Sequence, residues 1–254
     1  MSAKQILIQS YPTSKVPNWI EQCIDSAHTL ANLKGWEYHA KGDEIFDLVP
    51  QKIRSKLGSK KVMLTDLARL LWAKEILQNE SSIGQVIWLD ADVFVFSPEH
   101  ININAETHFA VGRQNWIQAG SGQTLKVYRQ VHNAILVLGH DLCVADFLIY
   151  SISRMINEMT HAPSPQIFGP KLLTALHNIV GFDVIESVGM ASPLVLQDIA
   201  RGGGKALSAL SRTGTPPLGA LNLCSSYQEK TVDDILVNNS LFTRAIKRLN
   251  RYGL

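Results

Sequence analysis

The residues Val86-Ile87-Trp88-Leu89-Asp90-Ala91-Asp92 join a continuous apolar run to two carboxylates. An apolar run of this length is typical of a strand that is buried on both faces of a mainly parallel sheet. In open α/β sheets, ligands bind beyond the carboxyl ends of the strands. The sequence therefore places Asp90 and Asp92 where such a fold binds its ligand.

Asp90 and Asp92 lie two residues apart, so an extended chain directs both side chains to the same side. Two ionised carboxylates this close repel each other, and burial adds to the cost of their charge. A divalent cation relieves that cost, and carboxylate oxygens suit Mg²⁺ or Mn²⁺, which also take phosphate oxygens and water. The chemistry that this predicts is Lewis-acid stabilisation of a leaving diphosphate by the bound cation. The simpler interpretation is that the pair only ends a strand and faces water.

Patterns on both sides of this stretch predict alternating strands and helices. Residues 4–9 and 36–39 are predicted strands, and apolar residues at helical spacing predict helices over 17–33 and 61–78. Later strands and helices are predicted over 93–96, 109–112, 134–138, 141–159, 171–176 and 184–188. This alternation indicates one α/β domain over residues 1–254, with a mainly parallel central sheet flanked by helices.

Composition excludes several classes of protein. A net charge of +2 over 254 residues does not mark a nucleic-acid-binding protein. Cys23, Cys143 and Cys224 are too widely and irregularly spaced for a disulfide framework or a zinc site, so they are predicted to be reduced thiols. No run reaches the about 18 apolar residues of a membrane-spanning helix. We therefore expect a cytoplasmic protein.

A second pair of charged residues lies ahead of the apolar strand. Asp66 and Arg69 are three residues apart on the predicted helix 61–78, so they share one face and can form an ion pair. An ordinary ion pair is one interpretation. A carboxylate and a guanidinium side by side also offer acceptors and donors to sugar hydroxyls, and both interpretations can hold together.

The segment Thr65-Asp66-Leu67-Ala68-Arg69, followed by the strand that ends in Asp90-Ala91-Asp92, resembles glycosyltransferase family 32. That family, which includes initiating mannosyltransferases, capsular sugar transferases and toxin glucosyltransferase domains, has Ser/Thr-Asp-x-x-Arg on a helix before a strand ending in Asp-x-Asp. Weaker echoes at 6–17, 132–135 and 168–173 extend the resemblance over roughly residues 5–180. It implies a GT-A-like fold. It also implies metal-dependent, retaining transfer of a hexose from a UDP- or GDP-sugar to a glycan or lipid-linked glycan.

The resemblance also implies roles for individual residues. Asp92 binds Mn²⁺ or Mg²⁺, and Asp90 contacts the ribose and the metal shell. Asp66 and Arg69 hold hydroxyls of the donor sugar and join the two aspartates in the catalytic set. The implied donor-binding residues are Tyr11, Thr65, Asp66, Arg69, Asp90, Ala91 and Asn133.

The C-terminal part of the chain carries three further predictions. Residues 240–242 stand where relatives have Ser-x-Trp near the diphosphate, so the resemblance implies that Asn239 or Ser240 completes the metal shell. Glycines and prolines predict a mobile acceptor-side loop over 200–222, as a closing lid or a plain flexible connection. Residues 240–251 predict a basic helix, which is either a solvated face or a peripheral contact with an anionic membrane.

Two other functions stay open at this point. Phosphatases of the haloacid dehalogenase type also carry Asp-x-Asp after an apolar strand and use an aspartyl nucleophile, although their motif lies near the N-terminus. The non-enzyme alternative is a nucleotide-sugar-binding protein without turnover. Two single residues also carry predictions: Trp116, in a polar stretch, is a candidate for stacking on a sugar, and Asp141 is a candidate helix cap.

Overall fold

The apolar run around Trp88 forms a strand at the centre of a six-stranded sheet. The computed structural model describes residues 4–122, 124–161, 164–213 and 217–254. Its strands are β1 (Lys4–Ser10), β2 (Glu37–Lys41), β3 (Ile83–Leu89), β4 (Val93–Val95), β5 (Phe109–Ala119), β6 (Leu125–Gly139), β7 (Asp183–Ile185), β8 (Val188–Met190), β9 (Ala220–Asn222), β10 (Lys230–Val232) and β11 (Ile235–Val237). Its helices are α1 (Asn18–Lys34), α2 (Gln51–Leu57), α3 (Lys61–Asn79), α4 (Cys143–Glu158), α5 (Leu172–Val180), α6 (Pro193–Arg201), α7 (Lys205–Thr213) and α8 (Asn239–Tyr252).

The strands of the main sheet follow the order β2-β1-β3-β6-β5-β7. The pairs β1–β2, β1–β3 and β5–β7 are parallel, whereas β6 runs antiparallel to both β3 and β5. The sheet is therefore mostly parallel, and the predicted α/β fold class is confirmed. A smaller sheet of β4, β9 and β8 lies beside it, and β10 and β11 form a separate hairpin.

Helices cover both faces of the main sheet, as the continuous apolar run of β3 requires. Val86 and Trp88 pack in one core with α3 and α4, whereas Ile87 and Leu89 pack in another with α1. Alternate residues of a strand point to opposite faces, so each face receives its own apolar set. This double burial fixes the end of β3, and with it Asp90, in a rigid frame.

Sequence signals explain where the covering helices begin and end. The first helix begins directly after Pro17 and ends at Gly35, whose φ of 68° is the left-handed conformation that favours glycine. The third helix carries buried residues along most of its length, including Asp66 and Arg69 near its N-terminus. The predicted helices over 17–33 and 61–78 are both confirmed.

The prediction of a loop over residues 200–222 is wrong for most of that range. Residues 205–213 form α7, and 220–222 form β9, while 214–216 lie outside the described residues. Gly202 ends α6 with a φ of 86°, and the Asp198 carboxylate accepts hydrogen bonds from the backbone N–H groups of Ala206 and Leu207 at the start of α7. The glycine run is therefore a tight corner between two helices, and the mobility predicted for it stays untested.

The predicted basic C-terminal helix is confirmed as α8. Its apolar face packs against α6 and α1, which leaves the basic residues Arg244, Lys247, Arg248 and Arg251 exposed. Asp141 is not the N-cap of α4, which is Leu142, but its carboxylate accepts a hydrogen bond from the N–H of Cys143, the first residue of the helix. Within the described ranges, no helix is both long and apolar enough to cross a membrane.

Candidate functional site

A cleft of 510 Å³ lies beyond the carboxyl ends of β1 and β3. It is lined by residues from the loop after β1, the first turns of α3, the end of β3, the middle of β6 and the segment after β9. The sequence elements that carry the two charged motifs thus meet at one place. The cleft is the candidate site.

Asp90 is held in the cleft through one of its two carboxylate oxygens. Its Oδ1 accepts hydrogen bonds from Nε1 of Trp88 at 2.6 Å and from the Arg69 guanidinium at 3.1 Å. Its backbone N–H donates to the carbonyl of Ala134 at 2.7 Å. Among the described residues no donor reaches Oδ2, and the side chain is 26% exposed. Asp90 therefore presents one free carboxylate oxygen on a fixed frame.

An irregularity in β6 brings Asn133 into the cleft. The pairing of β5 with β6 shifts between Val111 and Gly112, so residues 133–135 have no partner on β5. The carbonyls of Asn133 and Ala134 instead accept hydrogen bonds from Arg69, at 2.5 Å, and from Asp90. Such bulges re-aim side chains near functional sites. Here the bulge turns the Asn133 amide towards α3.

Arg69 is the hub that joins these groups. Its guanidinium contacts the carboxylates of Asp66 at 3.3 Å and Asp90 at 3.1 Å, and it lies over the Trp88 ring at 4.8 Å from the ring centre. The side chain is only 5% exposed. The predicted ion pair of Asp66 with Arg69 is therefore confirmed, and it is buried. The role predicted for both residues at the donor sugar stays a prediction.

Asp66 is almost completely buried beside this hub. Its Oδ1 accepts a hydrogen bond from Nδ2 of Asn133 at 2.8 Å. Burial raises the pKa of Asp66 from 3.8 to about 6, and Arg69 and Asn133 oppose this shift because they stabilise the charged form. At neutral pH the ionised form prevails, so the cleft presents a carboxylate that is held by a cation and an amide.

Asp66 is expected to make the stability of the protein depend on pH. Because its pKa is higher in the folded than in the unfolded chain, its protonation favours folding, and this contribution is lost as pH rises from about 4 to about 6. Asp66→Asn removes the titrating group, so its free energy of unfolding should fall less over that window than that of the wild type. Urea unfolding across the window measures both slopes, and equal slopes would contradict the assignment.

Asp92 is bound to a part of the chain that lies far away in sequence. Its Oδ1 accepts a hydrogen bond from Nδ2 of Asn222 at 2.7 Å, and its Oδ2 accepts one from the backbone N–H of Ser225 at 2.8 Å. Burial first, and then the charge of Asp90, raise the pKa of Asp92. The two carboxylates therefore repel each other in the folded protein, as their spacing predicts.

Gly169 packs directly against the Asn133 amide. A Cβ atom at position 169 would lie 2.8 Å from Nδ2 of Asn133 and 3.0 Å from its Oδ1, which is closer than side-chain atoms tolerate. The glycine of the predicted helix start at 168–173 is thus required by the close approach to Asn133. The same contact fixes the amide that donates to Asp66.

Gly169→Ala is expected to displace the Asn133 amide and to cost about 1–3 kcal/mol of stability, as overpacking does. The loss should be smaller in an Asn133→Ala background, because the clashing atoms are then absent. Chemical unfolding of the wild type, both single variants and the double variant measures this coupling. An equal cost of Gly169→Ala in both backgrounds would show that the contact is not the cause.

The structure also identifies residues that the sequence patterns missed. Asn222 and Ser225 hold Asp92, and their only signal was a polar cluster after a short apolar run. His132 lines the cleft, but its Nδ1 accepts from the N–H of Ala134 at 3.0 Å and its Nε2 donates to the carbonyl of Val188 at 3.0 Å. Burial lowers the pKa of His132 to about 4, so the ring is neutral at pH 7 and both nitrogens are occupied.

The other predicted site residues divide into two groups. The cleft is lined by Tyr11, Thr65, Ala91 and Asn133 together with the charged residues described above. Asn239 and Ser240, which the resemblance implied as metal ligands, do not line it. The Asn239 side-chain oxygen accepts hydrogen bonds from Trp19 at 3.1 Å and from Gln228 at 3.0 Å, so it is already engaged elsewhere. The role in a metal shell that the resemblance implied for Asn239 or Ser240 stays a prediction.

Comparison with known proteins places the fold. No family model matches the chain, and no curated protein matches it either. Among solved structures it is similar to the glycosyltransferase involved in the glycosylation of the major capsid of PBCV-1. The TM-score is 0.53 and the identity 12%, over 95% of this chain and 98% of that chain.

The chain has a GT-A-type fold. At 12% identity the likeness shows this shared fold and not a shared activity. Mouse xyloside xylosyltransferase 1 is more distant, with a TM-score of 0.46 and 8% identity over 88% of this chain and 98% of that chain. The cleft at Asp90 and Asp92 lies where a fold of this type, like other open α/β sheets, binds its ligand.

Proposed function

We propose that this GT-A-type protein is a metal-dependent glycosyltransferase of family 32 character. It would move a hexose from a UDP- or GDP-sugar to a hydroxyl of a glycan or lipid-linked glycan. The observation that carries the proposal is the meeting of two motifs in one cleft. The free oxygen of Asp90, and the Asp92 carboxylate that Asp90 repels, lie beside the buried cluster of Asp66, Arg69 and Asn133.

The carboxylates fit a divalent cation that is held partly by substrate. In the described part of the chain, no cluster of three His, Cys, Asp or Glu side chains could hold a metal ion. Mg²⁺ and Mn²⁺ are commonly bound by one or two carboxylates with substrate phosphates and water completing the shell. Asp90 and Asp92 would supply such a pair. When bound, the cation would supply positive charge to the leaving diphosphate.

The side chains around the pair suggest how a donor would lie. Lys15 and Lys61 line the cleft, and Lys15 offers positive charge to phosphate oxygens, whereas Lys61 is paired with Asp43 at 2.8 Å. Asp66 and Asn133 offer an acceptor and an amide to sugar hydroxyls, and Tyr11 lies on the loop that would cover the nucleotide base. These assignments agree with the roles that the family resemblance implies.

In the proposed reaction the acceptor oxygen bonds to the anomeric carbon and its proton leaves to solvent. The bond from that carbon to the diphosphate breaks, and the nucleoside diphosphate departs with the electron pair. His132 is neutral with both nitrogens engaged, so it is not placed to act as a general base. This arrangement is compatible with the retention of configuration that the resemblance implies.

The phosphatase alternative makes a different use of the same pair. An aspartyl nucleophile needs an unencumbered carboxylate oxygen aimed at the substrate. Both oxygens of Asp92 accept hydrogen bonds from the protein, whereas Asp90 keeps one free oxygen. Asp90 therefore meets this requirement as well, and the two activities are separated by the assay below.

Nucleoside diphosphate release from a panel of UDP- and GDP-sugars, with Mn²⁺ and with chelator, tests the proposal. We expect release from at least one donor in Mn²⁺ only. Phosphate release from simple phosphomonoesters with Mg²⁺ would instead support the phosphatase. Tight Mn²⁺-dependent binding of a nucleotide-sugar without hydrolysis or transfer would support a binding protein without turnover.

A peripheral contact with the cytoplasmic face of a membrane is a further part of the proposal. The exposed basic face of α8 carries Arg244, Lys247, Arg248 and Arg251, which would attract anionic lipid headgroups. We expect the protein to pellet with anionic vesicles at low salt and to be released at high salt. Reversal of Lys247 and Arg251 to glutamate should abolish the pelleting. Wild-type protein that does not pellet with anionic vesicles would refute the contact.

A further inference from the structure

The outer part of the β5–β6 hairpin carries a row of aromatic and amide side chains on one face. The cross-strand pairs are Gln114 with Gln130 and Trp116 with Tyr128. Because side chains alternate along a strand, these residues share one face, and Gln118 continues the row. Ile117, on the opposite face, is buried in the core with α6 and α8.

This face forms the wall of a groove that continues the candidate site. The groove has a volume of 330 Å³ and is also lined by Tyr227, whose ring stacks on Trp116 at 5.5 Å between ring centres. Gln166, Pro170 and Met190 line both this groove and the donor cleft. A molecule bound in the groove would therefore reach the cleft directly.

The chemistry of the groove is polar but uncharged. Among the described residues, its lining contains aromatic rings, glutamines and small or apolar side chains, and no Asp, Glu, Lys or Arg. Aromatic rings pack against the apolar faces of sugar rings, and primary amides both donate to and accept from hydroxyls. Lys126, the cross-strand partner of Gln118, and Lys230, 5.9 Å from the Tyr227 ring centre, lie beside the groove but do not line it. A phosphorylated headgroup would find no positive charge in the lining itself.

Gln114 gives a second, independent indication of a polar ligand. The residue is 8% exposed and lines the groove, and no donor among the described residues reaches its Oε1. A buried carbonyl oxygen without a donor is costly, and such groups in native proteins are usually satisfied by water or a bound molecule. This oxygen has almost no accessible surface, so a hydroxyl of a ligand in the groove would satisfy it once the Gln114 side chain rotates towards the groove.

We propose that this groove, defined by Gln114, Trp116, Tyr128, Gln130 and Tyr227, is the acceptor subsite and that it binds an uncharged glycan. The inference rests on the proposed function, since it takes the adjoining cleft to be the donor site. It adds the class of acceptor: a neutral sugar chain lies against Trp116 and directs a hydroxyl towards Asp90 and Asp92.

Binding to a printed array of neutral and acidic oligosaccharides, followed by titration of the strongest neutral glycan, tests the inference. We expect neutral glycans to be preferred and Trp116→Ala to weaken binding roughly tenfold, which is the loss of one aromatic contact. Trp116→Phe should lose less, which separates lost stacking from misfolding. Val127→Ala is the matched control, because Val127 is exposed on the opposite face of the same hairpin.

The stabilisation by Mn²⁺ with a nucleotide-sugar should be equal in Trp116→Ala, Val127→Ala and the wild type. A preference for acidic glycans, no glycan binding, or equal affinity in Trp116→Ala and Val127→Ala would overturn the acceptor assignment alone. If no nucleotide-sugar stabilises the wild type while neutral glycans bind through Trp116, the proposed transferase function fails and the groove stands as a glycan-binding site.

Discussion

Asp92→Asn is expected to lower the rate of nucleoside diphosphate release by roughly a hundredfold to a thousandfold, the range seen when one electrostatic group of a transition-state site is removed. The proposed cation would be held by Asp90 and Asp92 and would lose half of that charge. The amide has the size of the carboxylate, but its NH2 group would face one of the two N–H donors, from Asn222 and Ser225, that the carboxylate accepts. The free energy of unfolding of the variant is therefore measured beside the rates, so that lost turnover is separated from lost stability.

Initial rates over a range of Mn²⁺ concentrations, for wild type and Asp92→Asn, measure this effect. Asp25→Asn is the matched control, because Asp25 lies exposed on α1 and does not line the cleft. Its rate should equal that of the wild type. Mn²⁺-dependent turnover near the wild-type rate in Asp92→Asn would show that this carboxylate does not hold the cation.

Arg69→Met is expected to lower the free energy of unfolding by about 3–5 kcal/mol, the cost of removing one partner of a buried ion pair. The substitution leaves the carboxylates of Asp66 and Asp90 and the carbonyl of Asn133 without their shared donor. This loss in the free energy of unfolding should be smaller at acidic pH. Arg69 lowers the pKa of Asp66, so without it Asp66 becomes protonated more readily and its charge disappears.

Urea unfolding of Arg69→Met near pH 5 and near pH 8 measures both effects. Arg154→Met provides the control, because Arg154 pairs with Glu158 on the surface of α4 and this pair is solvent-exposed. No measurable loss is expected there. A cost for Arg69→Met that is as small as that for Arg154→Met would mean that the guanidinium is not the hub of the site.

The sequence predicted those parts of the site that depend on short-range patterns. The apolar residues of β3 and the spacing of Asp90 and Asp92 require only a buried strand with polar residues at its end. The pair of Asp66 and Arg69 requires only one turn of helix. Asn133 was implied by the resemblance alone, because its position depends on a bulge that no local pattern reveals.

The partners of Asp92 could not be predicted from local patterns. Asn222 and Ser225 lie more than a hundred residues from Asp92 in the chain and reach it only because β9 pairs with β4. The glycine run at 202–204 misled in the opposite direction. A glycine-rich helix end and a glycine-rich loop look alike in the sequence. Here only the Asp198 carboxylate, which accepts hydrogen bonds at the start of α7, distinguishes the helix end from a loop.

Thermal unfolding of the wild type and Asp92→Ala, with UDP- and GDP-sugars and with or without Mn²⁺, tests the donor site most directly. We expect at least one nucleotide-sugar to raise the midpoint of the wild type in Mn²⁺ only. At a hundred times its Kd, such a ligand adds about 2.7 kcal/mol of stability. Asp92→Ala should show no shift. A wild-type midpoint that no nucleotide-sugar raises in Mn²⁺ would contradict the proposal that this cleft binds a sugar donor.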